Sequence, residues 1–196
     1  MPKAKKRAIV AVISAKGGSG KTTIACHLAV KLNADLVDLD EQQGAAYWAE
    51  SRAEHEHVAQ VRVIDQSEIA SSQRDIVIDT PPGKSESANF AISVATHIVV
   101  PIRPLGLDIR ALNATLDMLD EKQKPFFVLN MVPVRGAEVD EARESLSQYG
   151  EIAAEVPTRI SIARAIFTGL TIDEYTTDPA VSDQIRDLVR IMGIDG

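Results

Sequence analysis

Short apolar runs recur along this chain, separated by stretches in which apolar positions return every three or four residues. Runs at 8–13, 34–40, 75–79, 97–102, 125–131 and 151–156 predict buried strands, with a further short strand over 60–65. Helical patterns cover 24–32, 44–54, 85–95, 107–122, 137–149, 159–168 and 179–192. Such alternation predicts an α/β fold: a single doubly wound, mostly parallel sheet flanked by helices on both faces. No Pro/Gly/Ser-rich linker, low-complexity tract or internal repeat interrupts it, so residues 1–196 read as one domain. Sheets of this kind bind ligands beyond the carboxyl ends of their strands. Asp38, Asp40, Asp79 and Asn130 all lie at such ends and can meet on one edge of the sheet.

The first run leads into KGGSGKTT at residues 16–23, and a helical stretch follows. Strand, glycine-rich turn and helix form the context in which a loop of this composition binds phosphate. Gly17, Gly18 and Gly20 allow backbone dihedrals and a close approach that a Cβ would block. The N–H groups from Gly17 through Ser19 to Thr23 can then converge on phosphate oxygens, helped by the helix dipole. Lys21 would reach the β- and γ-phosphates, and the Thr22 hydroxyl would ligate Mg²⁺. The chain is therefore expected to bind a nucleoside triphosphate.

Asp79 closes the run at 75–79 and is followed by Thr80, Pro81, Pro82 and Gly83. A carboxylate on a buried strand beside a phosphate loop is the Walker-B arrangement, which holds Mg²⁺ through water. The four residues after it would form a switch loop sensing the γ-phosphate. An aspartate ending a strand can also simply cap its own turn.

Composition narrows the setting. At 196 residues, with 45% hydrophobic and 25% charged residues, the chain matches an ordinary soluble globule. No apolar stretch approaches the length of a membrane span, and the basic start, Met1 to Arg7, is followed by no secretory cleavage pattern. A cytoplasmic protein is expected. The single cysteine, Cys26, excludes an internal disulfide and reads as a packing residue. A net charge of −7 argues against a wholly nucleic-acid-binding surface but permits a local basic patch. His55 and His57 fall on a solvated helix end with no further ligand nearby, and His27 and His97 carry no partner pattern.

The octet also places a second cation, Lys16, directly before the paired glycines. This K-G-G-x-G-K-T-T pattern resembles the deviant Walker-A ATPases, the family that includes ParA, MinD and Soj. The resemblance implies ATP with Mg²⁺ as cofactors and an ATP-bound homodimer, in which Lys16 touches the triphosphate held by the partner subunit. VDLDEQQG at 37–44 resembles the family's second signature, V-D-x-D-P-Q, with Glu41 standing in place of the proline. Carried over, Asp40 orients the attacking water and Asp38 lies close to the metal, while Lys16, Lys21 and Mg²⁺ supply positive charge. Asn130 sits where the family places an asparagine that hydrogen-bonds adenine, although an Asx-turn is an equally ordinary use for it. Pro157, Thr158, Arg159 and Ile160, with Arg164 and the stretch 169–175, look like the tail of small ParA proteins, which adds Pro157 to the nucleotide-site candidates. Tyr47, Trp48 and Arg52 echo the helix after the second signature.

The activity that this resemblance implies is a DNA partition ATPase. An ATP-sandwich dimer would bind double-stranded DNA without sequence preference, associate with the nucleoid, and be released when a ParB-like centromere-binding or adaptor protein stimulates hydrolysis. Arg159, Arg164, Arg186 and Arg190 are the candidate DNA contacts, and Lys3, Lys5, Lys6 and Arg7 can add to that patch. Arg186 and Arg190 can equally pair with Asp183 and Asp187 along one helix. A MinD-like ATPase positioning a membrane or protein cargo, and a metabolic P-loop ligase or kinase, are the rivals. The metabolic enzymes have no use for Lys16, and an iron–sulfur scaffold ATPase would need a cysteine pair. The last helix carries an apolar stripe, Val181, Ile185, Leu188, Val189 and Met192, but also Asp183 and Asp187, with Asp195 just after it. The stripe therefore reads as sheet-packing, and no membrane partner is expected.

Overall fold

The computed structural model describes residues 7–133 and 135–194. Its elements in chain order are β1 (Ile9–Val12), α1 (Lys21–Lys31), β2 (Asp35–Asp38), α2 (Gly44–Ala53), β3 (Ile76–Asp79), α3 (Glu86–Val94), β4 (His97–Ile102), α4 (Gly106–Arg110), α5 (Leu112–Leu116), β5 (Phe126–Val132), α6 (Glu138–Ser147), β6 (Glu151–Pro157), α7 (Ile160–Phe167), α8 (Ile172–Tyr175) and α9 (Pro179–Ile191). The strands form one parallel sheet in the order β2-β3-β1-β4-β5-β6. The central β1 is buried along its whole length, as its unbroken apolar run requires of a parallel strand covered on both faces.

Alternation along β1 divides the core. Val10 and Val12 pack with Ile24 and Leu28 of α1, Trp48 of α2 and Leu188 of α9. Ile9, Ala11 and Ile13 face the opposite layer, with Ala91 of α3, Leu112 of α5 and Leu146 of α6. The stripe of α9 lies in the first of these layers: Val181, Ile185, Leu188, Val189 and Met192 are all buried there.

Two expectations change. The strand expected over 60–65 shrinks to a single bridge, Val63 with Leu36, made by two backbone hydrogen bonds of 2.9 Å. Only Ile64 in that segment is fully buried; Val61 is half-buried and Val63 exposed, so little apolar surface holds it against the sheet. The helix expected over 107–122 divides into α4 and α5 around Ala111, and regular helix stops at Leu116. There the Thr115 hydroxyl accepts a 3.0 Å hydrogen bond from the Ala15 backbone, tying α5 to the loop after β1.

Candidate functional site

The glycine-rich loop leaves β1 at the centre of the sheet's carboxyl edge and turns straight into α1. Gly18 (φ +71°) and Gly20 (φ +96°) adopt left-handed backbone, which a residue with a Cβ reaches only under strain. Gly20 is also the residue at which α1 begins. An open cavity of about 220 Å³ lies over the loop, lined by Gly17, Gly18, Gly20, Lys21, Thr22, Thr23, Asp40, Gln42 and Pro82. Lys21 is 7% exposed, and burial lowers its pKa against the opposing charges of Asp79 and Asp40.

The register of the parallel strands brings the acids to this cavity. Asp79 stands level with Val12 on β1 and with Asp38 on β2. The Thr22 hydroxyl donates to Asp79 Oδ2 at 2.7 Å, so the phosphate loop and the third strand are already joined. Burial pushes the Asp79 carboxyl up to about 7; the charges of Asp38 and Asp40 add to this, while the Thr22 hydrogen bond and Lys21 oppose it. Asp79 Oδ1 and Ser19 Oγ are the buried side-chain polar atoms left without a hydrogen-bond partner among the described residues. A hydroxyl bonded to a buried carboxylate that keeps one oxygen free fits a magnesium site. A divalent cation held there would bring the Asp79 pKa down again.

Asp38 has a second task. Its Oδ2 accepts from the backbone N–H groups of Ala45 and Ala46, both at 2.9 Å, which caps α2, and its Oδ1 accepts from Asp40 N at 3.0 Å. Asp38 therefore orders the turn that presents Asp40. That turn forms with Glu41 in it: Gln43 N bonds Asp40 O at 2.9 Å, and Gln43 takes φ +52°. In the expected switch loop, Thr80 is buried and donates to Val12 O at 2.9 Å, while Pro82 reaches the cavity wall.

Lys16 does not hang free. Its ammonium pairs with Asp108 of α4, a carboxylate 4% exposed that also accepts from Arg103. Burial opposes the charge on Asp108, but the hydrogen bonds from Arg103 and Lys16 hold its carboxyl below the usual range. Sequence reasoning missed Asp108 and Arg103. Their only signal was an arginine and an acid shortly after the fourth apolar run, and nothing local ties them to the glycine loop.

Asn130 and Pro157 reach a second cavity of about 170 Å³, mostly apolar, lined also by Thr23, Met131, Thr158, Arg159, Ile162 and Ala163. Thr23 borders both cavities. The Asn130 amide, however, is directed at the glycine loop, where its Nδ2 donates to Ser19 O at 2.8 Å.

Comparison with known proteins gives the family of the chain. Residues 10–172 match the model of the CbiA family, the CobQ/CobB/MinD/ParA nucleotide binding domain. The chain belongs to this family. It is 34% identical over 182 residues to the "Maintenance of carboxysome distribution protein A" of Gloeobacter kilaueensis, covering 85% of this chain and 84% of that one. It is 25% identical over 170 residues to a "Protein ParA" of Rhizobium radiobacter, covering 76% and 77%. The fold superposes on the ATP complex of the D38A variant of Cyanothece McdA with a TM-score of 0.76, at 15% identity over 98% of this chain and 99% of that chain. The loop at 16–23 lies within the matched residues of this ParA/MinD-family nucleotide binding domain.

The basic candidates are less concentrated than their spacing suggested. Arg186 bonds Asp183 at 2.7 Å and Arg190 bonds Asp187 at 3.0 Å, each along its own helix face. Arg159 is tied to Asp178 at 3.1 Å. Arg164 is exposed on α7 and forms no ion pair among the described residues. Arg7 is bonded to the backbone carbonyls of Ile69 and Ser72, away from any patch, and Lys3, Lys5 and Lys6 lie outside the described residues. His55 donates toward Thr168 O at 2.7 Å, and no cluster of three or more His, Cys, Asp or Glu side chains placed to hold a metal occurs among the described residues. His27 is buried and linked to Thr23 O and Ile172 N, and Cys26 is a fully buried packing residue. No described helix is long and apolar enough to cross a membrane.

Proposed function

We propose that this chain is an ATP-hydrolysing segregation ATPase that dimerises around ATP, holds non-specific DNA as a dimer and releases it on hydrolysis. The observation that carries this reading is the loop at 16–23 with Lys16 beside its paired glycines, since a loop acting within one subunit needs only Lys21. The main chain of Gly17 to Thr23 binds the phosphates, and Lys21 balances charge growing on the γ-phosphoryl oxygens. Mg²⁺, when bound through Thr22 and Asp79, supplies further positive charge at the phosphates. Asp40, at the cavity mouth and held by the turn that Asp38 orders, orients the attacking water. Lys16 leaves Asp108 and reaches the triphosphate of the partner subunit, so assembly depends on an intact γ-phosphate. Asp40→Ala is accordingly expected to cut hydrolysis by about 10²-fold or more while the ATP-bound dimer persists. Size-exclusion light scattering together with phosphate release checks this, and normal turnover would remove Asp40 from the mechanism.

DNA retention is placed on the dimer because pairing two weak patches doubles the number of phosphates met and steepens the salt dependence. Arg164 is the contact to change first, being exposed and without a carboxylate partner among the described residues. Arg164→Glu is expected to weaken retention and lower the salt slope by about one per subunit. Arg186→Glu with Arg190→Glu should act less, since those guanidinium groups are already paired. A DNA-mobility assay with ATP, ADP and a non-hydrolysable analogue at two salt concentrations tests the whole reading. Retention that ignores the nucleotide would sink it. A ParB-like adaptor is the expected stimulating partner. The carboxysome-distribution name of the 34% relative supports a second reading, in which the cargo moved over DNA is a protein assembly.

A further inference from the structure

The geometry points to Asn130 as a positioning residue for the phosphate loop, acting on its main chain instead of reading the base. This rests on the nucleotide-loop assignment above and departs from the adenine contact that the family resemblance implies. Asn130 lies at the carboxyl end of β5 and is 5% exposed. Both ends of its amide meet protein: Nδ2 donates to Ser19 O at 2.8 Å, and Oδ1 accepts from Met131 N at 2.9 Å. These two partners fix which end of the amide is nitrogen, since a carbonyl needs a donor and an N–H an acceptor.

The contact with the loop is steric as well as polar. A Cβ built on Gly20 would stand 2.0 Å from Asn130 Nδ2, whereas Gly17 and Gly18 have nothing within 4 Å of theirs. Gly20 is thus a glycine for two reasons: its φ of +96° and the amide pressed against it. The bond also orients the neighbouring peptide group. In a planar trans peptide the N–H points opposite to the C=O, so holding Ser19 O toward Asn130 turns the Gly20 N–H away from it. Gly20 borders the cavity over the loop, where that N–H is wanted.

The other end of the amide explains how Asn130 comes to stand there. Between Asn130 and Val132 the ladder with β6 slips by a residue, and Met131 takes φ +55°. The bond from Met131 N to Asn130 Oδ1 closes this irregularity, which re-aims the strand end. The second cavity beside it has apolar walls in Pro157, Met131 and Ile162.

The test separates loop from base. Mg-ATP, Mg-ITP and inorganic tripolyphosphate are titrated calorimetrically into the full chain carrying Asn130→Ala, Asn130→Asp or Asn130→Ser. Loss of the loop brace is expected to weaken all three probes by a similar factor, about tenfold for Asn130→Ala. Asn130→Asp, of the same size but without a donor for Ser19 O, should lose at least as much. Asn130→Ser keeps a hydroxyl donor but places it one bond short of Nδ2, so it should lose about as much as Asn130→Ala. The ATP-to-ITP preference should stay at its wild-type value throughout. A collapse of that preference with tripolyphosphate binding unchanged would return Asn130 to base recognition, and no loss for any probe would leave it without either role. Lys21→Ala, run alongside, reports on the loop assignment itself, so failure of that assignment is seen separately.

Discussion

Lys21→Ala is expected to lower ATP affinity by about 100-fold or more, beyond the range of ordinary calorimetry. Lys21 is 7% exposed and is the cation buried in the wall of the loop cavity. Burial lowers its pKa, but the charges of Asp79 and Asp40 counter that loss and keep an ammonium where phosphate is to sit. A charge-assisted hydrogen bond in such a place contributes about 1.5–3 kcal/mol, and a β,γ-bridging lysine makes more than one. Its removal also leaves Asp79 facing the phosphates with less compensation, so the loss should exceed that of the bonds alone. The substitution leaves Thr22 and Asp79, the residues that would hold magnesium, in place, so the loss reports on the ammonium itself. ATP binding within about tenfold of wild type would sink the phosphate-loop assignment and the proposed function with it.

The parts of this site visible in the sequence are those made by local chain geometry. Glycines at 17, 18 and 20 between an apolar run and a helical pattern could mean little else, and Asp38 and Asp79 were placed by their positions at strand ends. What stayed hidden depends on side chains from distant segments. Asp108 reaches Lys16 across 92 residues, and Asn130 reaches Ser19 across 111. No periodicity encodes either approach; both follow from the sheet order, in which β4 lies next to β1 and β5 next to β4. The segment at 60–65 departs for a different reason: Ile64 is its one buried side chain, whereas Val63 is exposed, so little apolar surface holds it in the sheet. For the arginines on α9 the pattern left two uses open, and the structure forms the i,i+3 pairs with Asp183 and Asp187 that the spacing offered.

Glu174→Gln should destabilise the fold by about 3–5 kcal/mol, the usual result of stripping one partner from a buried ion pair. Arg52 on α2 is 0% exposed and lies 5.2 Å from the centre of the Trp48 ring. It meets Glu174 with two hydrogen bonds, of 2.8 and 2.6 Å, and the carbonyls of Ala59 and Gly169 with two more. Glu174 in turn caps α8 through Thr171, and His27 of α1 accepts from Ile172 N at 3.1 Å. The pair therefore joins the loop helix, the helix after Asp40 and the segment between α7 and α9. A neutral amide at 174 leaves a guanidinium buried with no counter-charge. Arg52→Met with Glu174→Leu removes both charges and should cost less than the single change, which distinguishes an unpaired charge from lost packing. Burial opposes ionisation of Glu174, yet hydrogen bonds from Arg52 and Thr171 prevail and hold its carboxyl at about 2 instead of 4.5. A depressed carboxyl stabilises the fold fully above its unfolded value and loses that contribution as pH falls from about 4.5 toward 2. Urea melts across this window should fall less steeply with acid in Glu174→Gln than in wild type. Equal slopes, or a loss below about 1 kcal/mol at neutral pH, would show that this bridge does not hold α2 and the Asp40 turn in place.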